Sequence, residues 1–73
     1  MKTNRSLILA IKSIAENYDI DPAGTCNSID NELQSAGYRK CGGEMARVDR
    51  WEKDGFSPIY VSYDPEHSHI SIN

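Results

Sequence analysis

Two histidines near the end of the chain have the side chains best suited to bind a metal. His67 and His69 are two residues apart, so they would share one face of a β-strand, and Asp64 and Glu66 lie beside them. No Cys-x-x-Cys or His-x-x-x-His spacing accompanies them, and a terminal strand commonly carries unpartnered histidines on its solvent face. The sequence therefore predicts no metal site and no cofactor.

Cys26 is the residue best placed for nucleophilic catalysis. It falls near the start of a predicted helix, where the helix dipole stabilises a thiolate. Its spacing from Ile29 and Leu33 instead favours a small packed side chain in an apolar stripe. The chain has no Gly-x-Ser-x-Gly motif, and the glycine pair at 42–43 lacks the lysine and the following helix of a phosphate-binding loop. We therefore expect no enzymatic activity.

Basic side chains are concentrated in the region of a predicted β-hairpin: Arg39, Lys40, Arg47, Arg50 and Lys53. Two helices followed by a basic hairpin would suit a winged-helix DNA-binding regulator. The segment that would have to be the recognition helix, residues 25–36, carries Asp30 and Glu32 but no lysine or arginine. Duplex DNA, with roughly one negative charge per 1.7 Å, would repel it. DNA binding is therefore the alternative prediction.

Binding to another protein fits the aromatic and charged residues better. Tryptophan, tyrosine and arginine dominate the binding energy of many protein interfaces. The candidate partner-binding residues of these types are Arg47, Arg50, Trp51 and Tyr60. The competing interpretation of Trp51 is a core residue, because a small domain needs large side chains to bury area.

A second candidate surface is acidic. Residues 15–36 contain no lysine or arginine, and four of their acids are candidate contacts: Asp19, Asp21, Asp30 and Glu32. These acids suit a basic partner surface, including one that normally binds nucleic acid. The competing interpretation is a solvated helix face.

These features predict a small acidic protein-binding module, such as a phage or other mobile element encodes. It would modulate or inhibit a macromolecular partner by occupying the partner's surface. The net charge is −3, and no apolar run approaches the ~20 residues that cross a bilayer, so we expect no membrane contact. Two cysteines, expected to be reduced, favour the cytoplasm. A chain of 73 residues has a thin core, which would favour a homodimer.

Two helices must position these residues. The first is predicted from a cap at Asn4 or Ser6 to near Asp19, with apolar residues three and four apart. The Asp-Pro-Ala-Gly segment at 21–24 is expected to be a turn, because a proline disfavours helical geometry in the residue before it. The second helix is predicted from a cap at Thr25 or Asn27 to Gly37.

Strands are predicted after Gly37. The segment 51–63 is predicted to be a hairpin with a tight turn at Asp54 and Gly55, and Pro58 delays its second strand to Ile59. Residues 44–53 have a composition that fits a helix or a strand, and the hairpin favours a strand. Ile70 and Ile72 predict a last strand. The expected fold is a single α+β domain over residues 1–73, with two helices packed on a three-stranded antiparallel sheet in the order α-α-β-β-β.

Overall fold

The computed structural model describes residues 2–42 and 47–73. Two helices, α1 and α2, precede four strands, β1 to β4: Arg5–Ala15, Pro22–Ser35, Arg39–Lys40, Val48–Glu52, Ile59–Asp64 and His69–Ile72. The strands form one antiparallel sheet in the order β1-β2-β3-β4. The predicted α+β class is confirmed. The sheet has four strands and not three. The sequence did not predict β1, because a strand of two residues is too short to show an alternating pattern.

Helix α1 begins at the predicted Asn4 cap, whose Oδ1 accepts a hydrogen bond from the Leu7 N–H at 3.1 Å. Leu7 and Ile11 are buried in the core. The helix ends at Ala15, earlier than predicted. Beyond it the N–H groups of residues 16–18 bond to carbonyls three residues back, which tightens the chain into turns.

The start of α2 corrects the prediction. The helix begins at Pro22 with Asp21 as its N-cap, and Asp21 Oδ1 accepts a hydrogen bond from the Gly24 N–H at 3.1 Å. Proline suits the first helical position, because the amide hydrogen that it lacks would have had no partner there. Asp-Pro is therefore a helix start here, and the predicted cap Thr25 is a buried residue within α2.

The end of α2 follows the prediction. Gly37 adopts φ +90°, the left-handed conformation that ends helices, and the Tyr38 N–H reaches back to the Leu33 carbonyl at 3.0 Å. Lys53, from beyond β2, donates from its Nζ to the Ala36 carbonyl at 2.7 Å. A cation therefore lies at the negative end of the helix dipole and joins α2 to the sheet.

Of the two alternatives for residues 44–53, the favoured one, a strand, is confirmed over Val48–Glu52. Residues 43–46 lie outside the described part of the chain. The hairpin between β2 and β3 is longer than predicted. The Phe56 N–H donates to the Lys53 carbonyl at 3.1 Å and closes a turn at the predicted place. Of the two central residues of this turn, Asp54 and Gly55, only Gly55 has a positive φ, at +84°. Three further residues precede β3, which starts at Ile59 as Pro58 predicts. The backbone of Lys2 fills this space by pairing with Phe56.

The core lies between the helices and one face of the sheet. Its fully buried side chains are Ile11, Ile29, Leu33, Trp51, Ile59 and Val61. Trp51 is the largest and is 0% exposed. The partner-binding role predicted for Trp51 is therefore wrong, and its competing interpretation as a core residue is correct. The reason is the register of β2, which turns Trp51 toward the helices beside Ile59.

Replacing the cap residue tests the corrected start of α2. We expect Asp21→Ala to lower the free energy of unfolding by about 1 kcal/mol, because the Gly24 N–H loses its acceptor. Urea denaturation measures this change. Asp19→Ala is the matched control, two residues away in the exposed turn, and equal losses from both variants would contradict the cap assignment.

Replacing Trp51 tests the core. We expect Trp51→Ala to cost about 3–5 kcal/mol, comparable to the whole stability of many small domains. Trp51→Phe should cost much less, because it fills most of the volume and removes an indole N–H that has no partner among the described residues. Circular dichroism melts of both proteins measure the difference. A folded Trp51→Ala variant with an unchanged melting temperature would contradict this account.

Candidate functional site

The side of the sheet that faces away from the helices is built by strand alternation. Pairs opposite each other in a ladder point to the same side, so the pairs Lys40–Trp51 and Trp51–Ile59 face the helices. Their chain neighbours point outward and form what we call the open sheet face: Arg39, Cys41, Val48, Arg50, Glu52, Tyr60, Ser62 and Ser71. No element in the described ranges 2–42 and 47–73 packs over this face.

Arg50 and Tyr60 lie at the centre of the open sheet face. They are directly opposite each other on β2 and β3, the two inner strands. Tyr60 is 38% exposed, and with Leu9 and Ile20 it is one of the exposed large hydrophobic residues in the described part of the chain. An aromatic ring beside a guanidinium on a rigid strand pair is the type of residue pair that anchors protein interfaces.

Glu52 links the other polar residues of this face. Its Oε2 lies 3.3 Å from Arg50 Nε. The Cys41 thiol, whose Sγ donates to the Arg39 carbonyl at 3.5 Å, is also close enough to act as a hydrogen-bond donor to the Glu52 carboxylate. The Cys41 bond and the Arg50 charge lower the pKa of Glu52. The same bond, with some burial, raises the pKa of the Cys41 thiol, so its thiolate form is disfavoured.

On the helix side of the sheet, Lys40 is the centre of a polar cluster with Cys26, Asp30, Asp49 and Tyr63. Lys40 Nζ lies 3.1 Å from Asp30 Oδ2 and 3.7 Å from Asp49 Oδ2. It also lies 5.2 Å from the centroid of the Trp51 ring. Burial alone would lower the pKa of Lys40, but the two carboxylates outweigh it and raise the pKa. The cluster therefore ties α2 to β1 and β2 through a permanent cation.

The remaining two members of the polar cluster are held neutral. Burial, and then the negative charges of Asp30 and Asp49, raise the pKa of the Cys26 thiol. Burial, and then Asp49, raise the pKa of Tyr63 well above its usual range. A thiolate at Cys26 is therefore disfavoured, in contrast to the lowered pKa that the helix dipole alone would give.

The structure separates the acidic residues predicted as one surface. Asp30 belongs to the polar cluster, where it neutralises Lys40, and Asp21 caps α2. Asp19 and Glu32 are exposed on the turn and on α2. Asp19, Asp21 and Glu32 are therefore exposed, whereas Asp30 is half-buried in the polar cluster.

The predicted basic and aromatic residues are separated in the same way. Arg50 and Tyr60 meet on the open sheet face, whereas Trp51 points into the core. Arg47 is exposed and adopts φ +70° just before β2. Sequence reasoning did not identify Cys41 as a neighbour of Arg50 or Lys40 as the centre of a cluster, because only the pairing of the very short β1 reveals both.

Local geometry accounts for His67, and His69 is exposed on β4. His67 Nδ1 lies 2.8 Å from Asp64 Oδ2 in the exposed turn between β3 and β4. The hydrogen bond from His67 lowers the pKa of Asp64. Within the described residues, no group of three or more histidine, cysteine, aspartate or glutamate side chains is arranged to hold a metal ion.

The fold and this face define a two-layer α+β domain with one sheet surface left uncovered by its described elements. Nothing matches this chain among protein-family models, curated proteins or solved structures at a significant level. No helix in the described part of the chain is both long and apolar enough to cross a membrane.

The protonated state of Cys26 can be tested by alkylation. In a Cys41→Ser background, the reaction with iodoacetamide should be slow at neutral pH and should rise with an apparent pKa above the ordinary thiol value. Asp30→Asn removes a charge that disfavours the thiolate, so it should lower this apparent pKa. Glu32→Gln is the control and should leave the profile unchanged. A fast reaction at neutral pH would contradict the assignment.

Proposed function

We propose that this protein is a non-enzymatic binding module that attaches to a protein partner through the open sheet face and modulates or inhibits that partner by covering its surface. The observation that carries the proposal is the direct opposition of Arg50 and Tyr60 at the centre of a sheet face that no described element covers. Both side chains belong to the types that contribute most to protein interfaces.

The rigidity of the site supports this proposal. Tyr60 lies on an inner strand that is hydrogen-bonded on both sides, and the opposite face of that strand is fixed by the buried Ile59 and Val61. Such a platform loses little conformational entropy on binding. The Glu52 carboxylate, 3.3 Å from Arg50 Nε, also restrains the guanidinium on this face.

The chemistry of the two thiols supports a function without catalysis. Both cysteines are free, and both have a raised pKa, so neither is an activated nucleophile. Free thiols also support the proposal that the protein acts in the cytoplasm, where thiols are kept reduced.

The exposed acids support a second contact with a basic partner surface. Asp19 and Glu32 lie on the helical side of the domain, away from the arginines of the open sheet face. A partner that normally binds nucleic acid has the positive charge to meet them. This contact is secondary in the proposal, since acidic side chains on a helix surface are commonly only solvated.

Nucleic-acid binding is the second candidate function, and it is favoured by one observation. Arg39 and Arg50 lie on the same face, where they would contact phosphates while Tyr60 stacks on a base. Against it, Glu52 lies between these arginines on that face. The winged-helix form of this alternative also requires α2 in a DNA groove, and α2 contains Asp30 and Glu32 but no basic residue.

The test compares matched variants in affinity capture from the native host. We expect Tyr60→Ala and Arg50→Glu each to weaken binding of the captured partner at least roughly tenfold, with a one-to-one complex for the unaltered protein in titration calorimetry. Arg5→Glu, an exposed charge reversal on α1, is the control and should bind normally. Thermal melts of all variants verify that the fold is retained.

Two results would contradict the proposal. Capture that is lost in Glu32→Lys but retained in Tyr60→Ala would move the site to the acidic helical surface. Salt-dependent binding to duplex or single-stranded DNA in a mobility shift, lost in Arg50→Glu, would replace protein binding by the nucleic-acid alternative.

A further inference from the structure

Strand β4 is an edge of the sheet with which no strand in the described ranges 2–42 and 47–73 pairs on its outer side. It lies at the end of the strand order, and its residues His69–Ile72 contain no lysine, no proline and no bulge, which are the usual devices that prevent edge-to-edge pairing. The opposite edge, β1, is two residues long and consists of Arg39 and Lys40. The two edges therefore differ in how far they resist pairing with another strand.

The ladder geometry shows which backbone groups of β4 are free to pair. Asn73 and Tyr60 exchange both of their backbone hydrogen bonds, at 2.9 and 3.0 Å. Hydrogen-bonded pairs alternate along an antiparallel ladder, so Ser71 also bonds to β3, whereas Ile70 and Ile72 do not. The N–H and C=O groups of Ile70 and Ile72 therefore point to the free edge.

A groove of about 380 Å³ runs beside this edge. It lies between β4 and the last turns of α1, and its lining includes Lys12, Ala15 and Glu16 from the helix. Lys12 and Glu16 are both exposed and lie one turn apart on α1. The groove therefore combines unpaired strand backbone with one positive and one negative side chain.

We infer that this groove is a self-association surface, in which β4 pairs antiparallel with β4 of a second copy. A two-fold axis through Ser71 would pair Ile70 of one copy with Ile72 of the other, so that the outward N–H and C=O groups of both residues are satisfied. The two sheets become one continuous sheet of twice the width. The isoleucine side chains of both copies meet on the helix side of that sheet.

Charge complementarity selects a second copy as the occupant. The same two-fold axis runs the two α1 helices antiparallel, so Lys12 of each copy is directed toward Glu16 of the other. The pattern is complementary to itself, whereas an unrelated peptide would need a matching charge order of its own. The open sheet face lies on the other side of the sheet and stays accessible in this dimer.

Charge variants test the inference in solution. Sedimentation velocity should detect a concentration-dependent dimer for the unaltered protein. Lys12→Glu or Glu16→Lys alone should weaken it roughly tenfold, because like charges then face each other, and the double variant should restore it. Ser71→Lys places two lysines beside the axis and should abolish the dimer, while Asn31→Lys, on exposed α2, is the charge-matched control and should not.

Amide hydrogen exchange gives a second readout at single residues. Raising the protein concentration should slow exchange of the Ile70 and Ile72 amides and leave the Ser71 amide, already bonded to β3, unchanged. A protein that stays monomeric at about millimolar concentration would overturn the inference, since even weak association of this kind has a Kd in that range. A dimer insensitive to Ser71→Lys, or a groove that binds only an added extended peptide, would overturn it as well.

Discussion

The burial of Trp51 against the helices is the constraint on which the rest of this domain depends. Side chains alternate along a strand, so seating one large ring in the core fixes the direction of every neighbour on β2 and of every residue paired with it. Arg50 and Tyr60 face outward for this reason, and Asp49 and Lys40 face the helices. A shift of one residue would exchange the two faces.

Two lysines complete this arrangement by joining α2 to the sheet. Lys40 lies between Asp30 and Asp49. Lys53 donates to the Ala36 carbonyl at the end of α2, and its Nζ lies over the rings of Tyr38 and Phe56. Each contact alone is worth little where solvent reaches it. Together they orient the helix on the sheet, so residues that resemble a basic binding surface in the sequence serve the fold.

The two faces of the sheet therefore have different roles. The helix face contains the core and the polar cluster, in which the thiol and the phenol are held neutral. The outer face carries Arg50 and Tyr60, through which the proposed contact with a partner would be made. The free edge at β4 lies between these faces, so association of two copies and binding of a partner would use separate surfaces of the same sheet.

Local chemistry was sufficient for some features of this protein. The spacing of apolar residues predicted both helices, and Pro58 correctly delayed β3. Asn4, one of the two caps predicted for α1, and Gly37 are helix ends in the structure. The pairing of β1 with β2 was beyond the sequence, because β1 has only two residues and its partner is distant in the chain. Tertiary structure alone decided that Trp51 is core, that Asp30 is neutralised, and that Arg50 and Tyr60 meet. The physical reason is that periodicity gives each segment two faces, and only packing between segments selects the buried one.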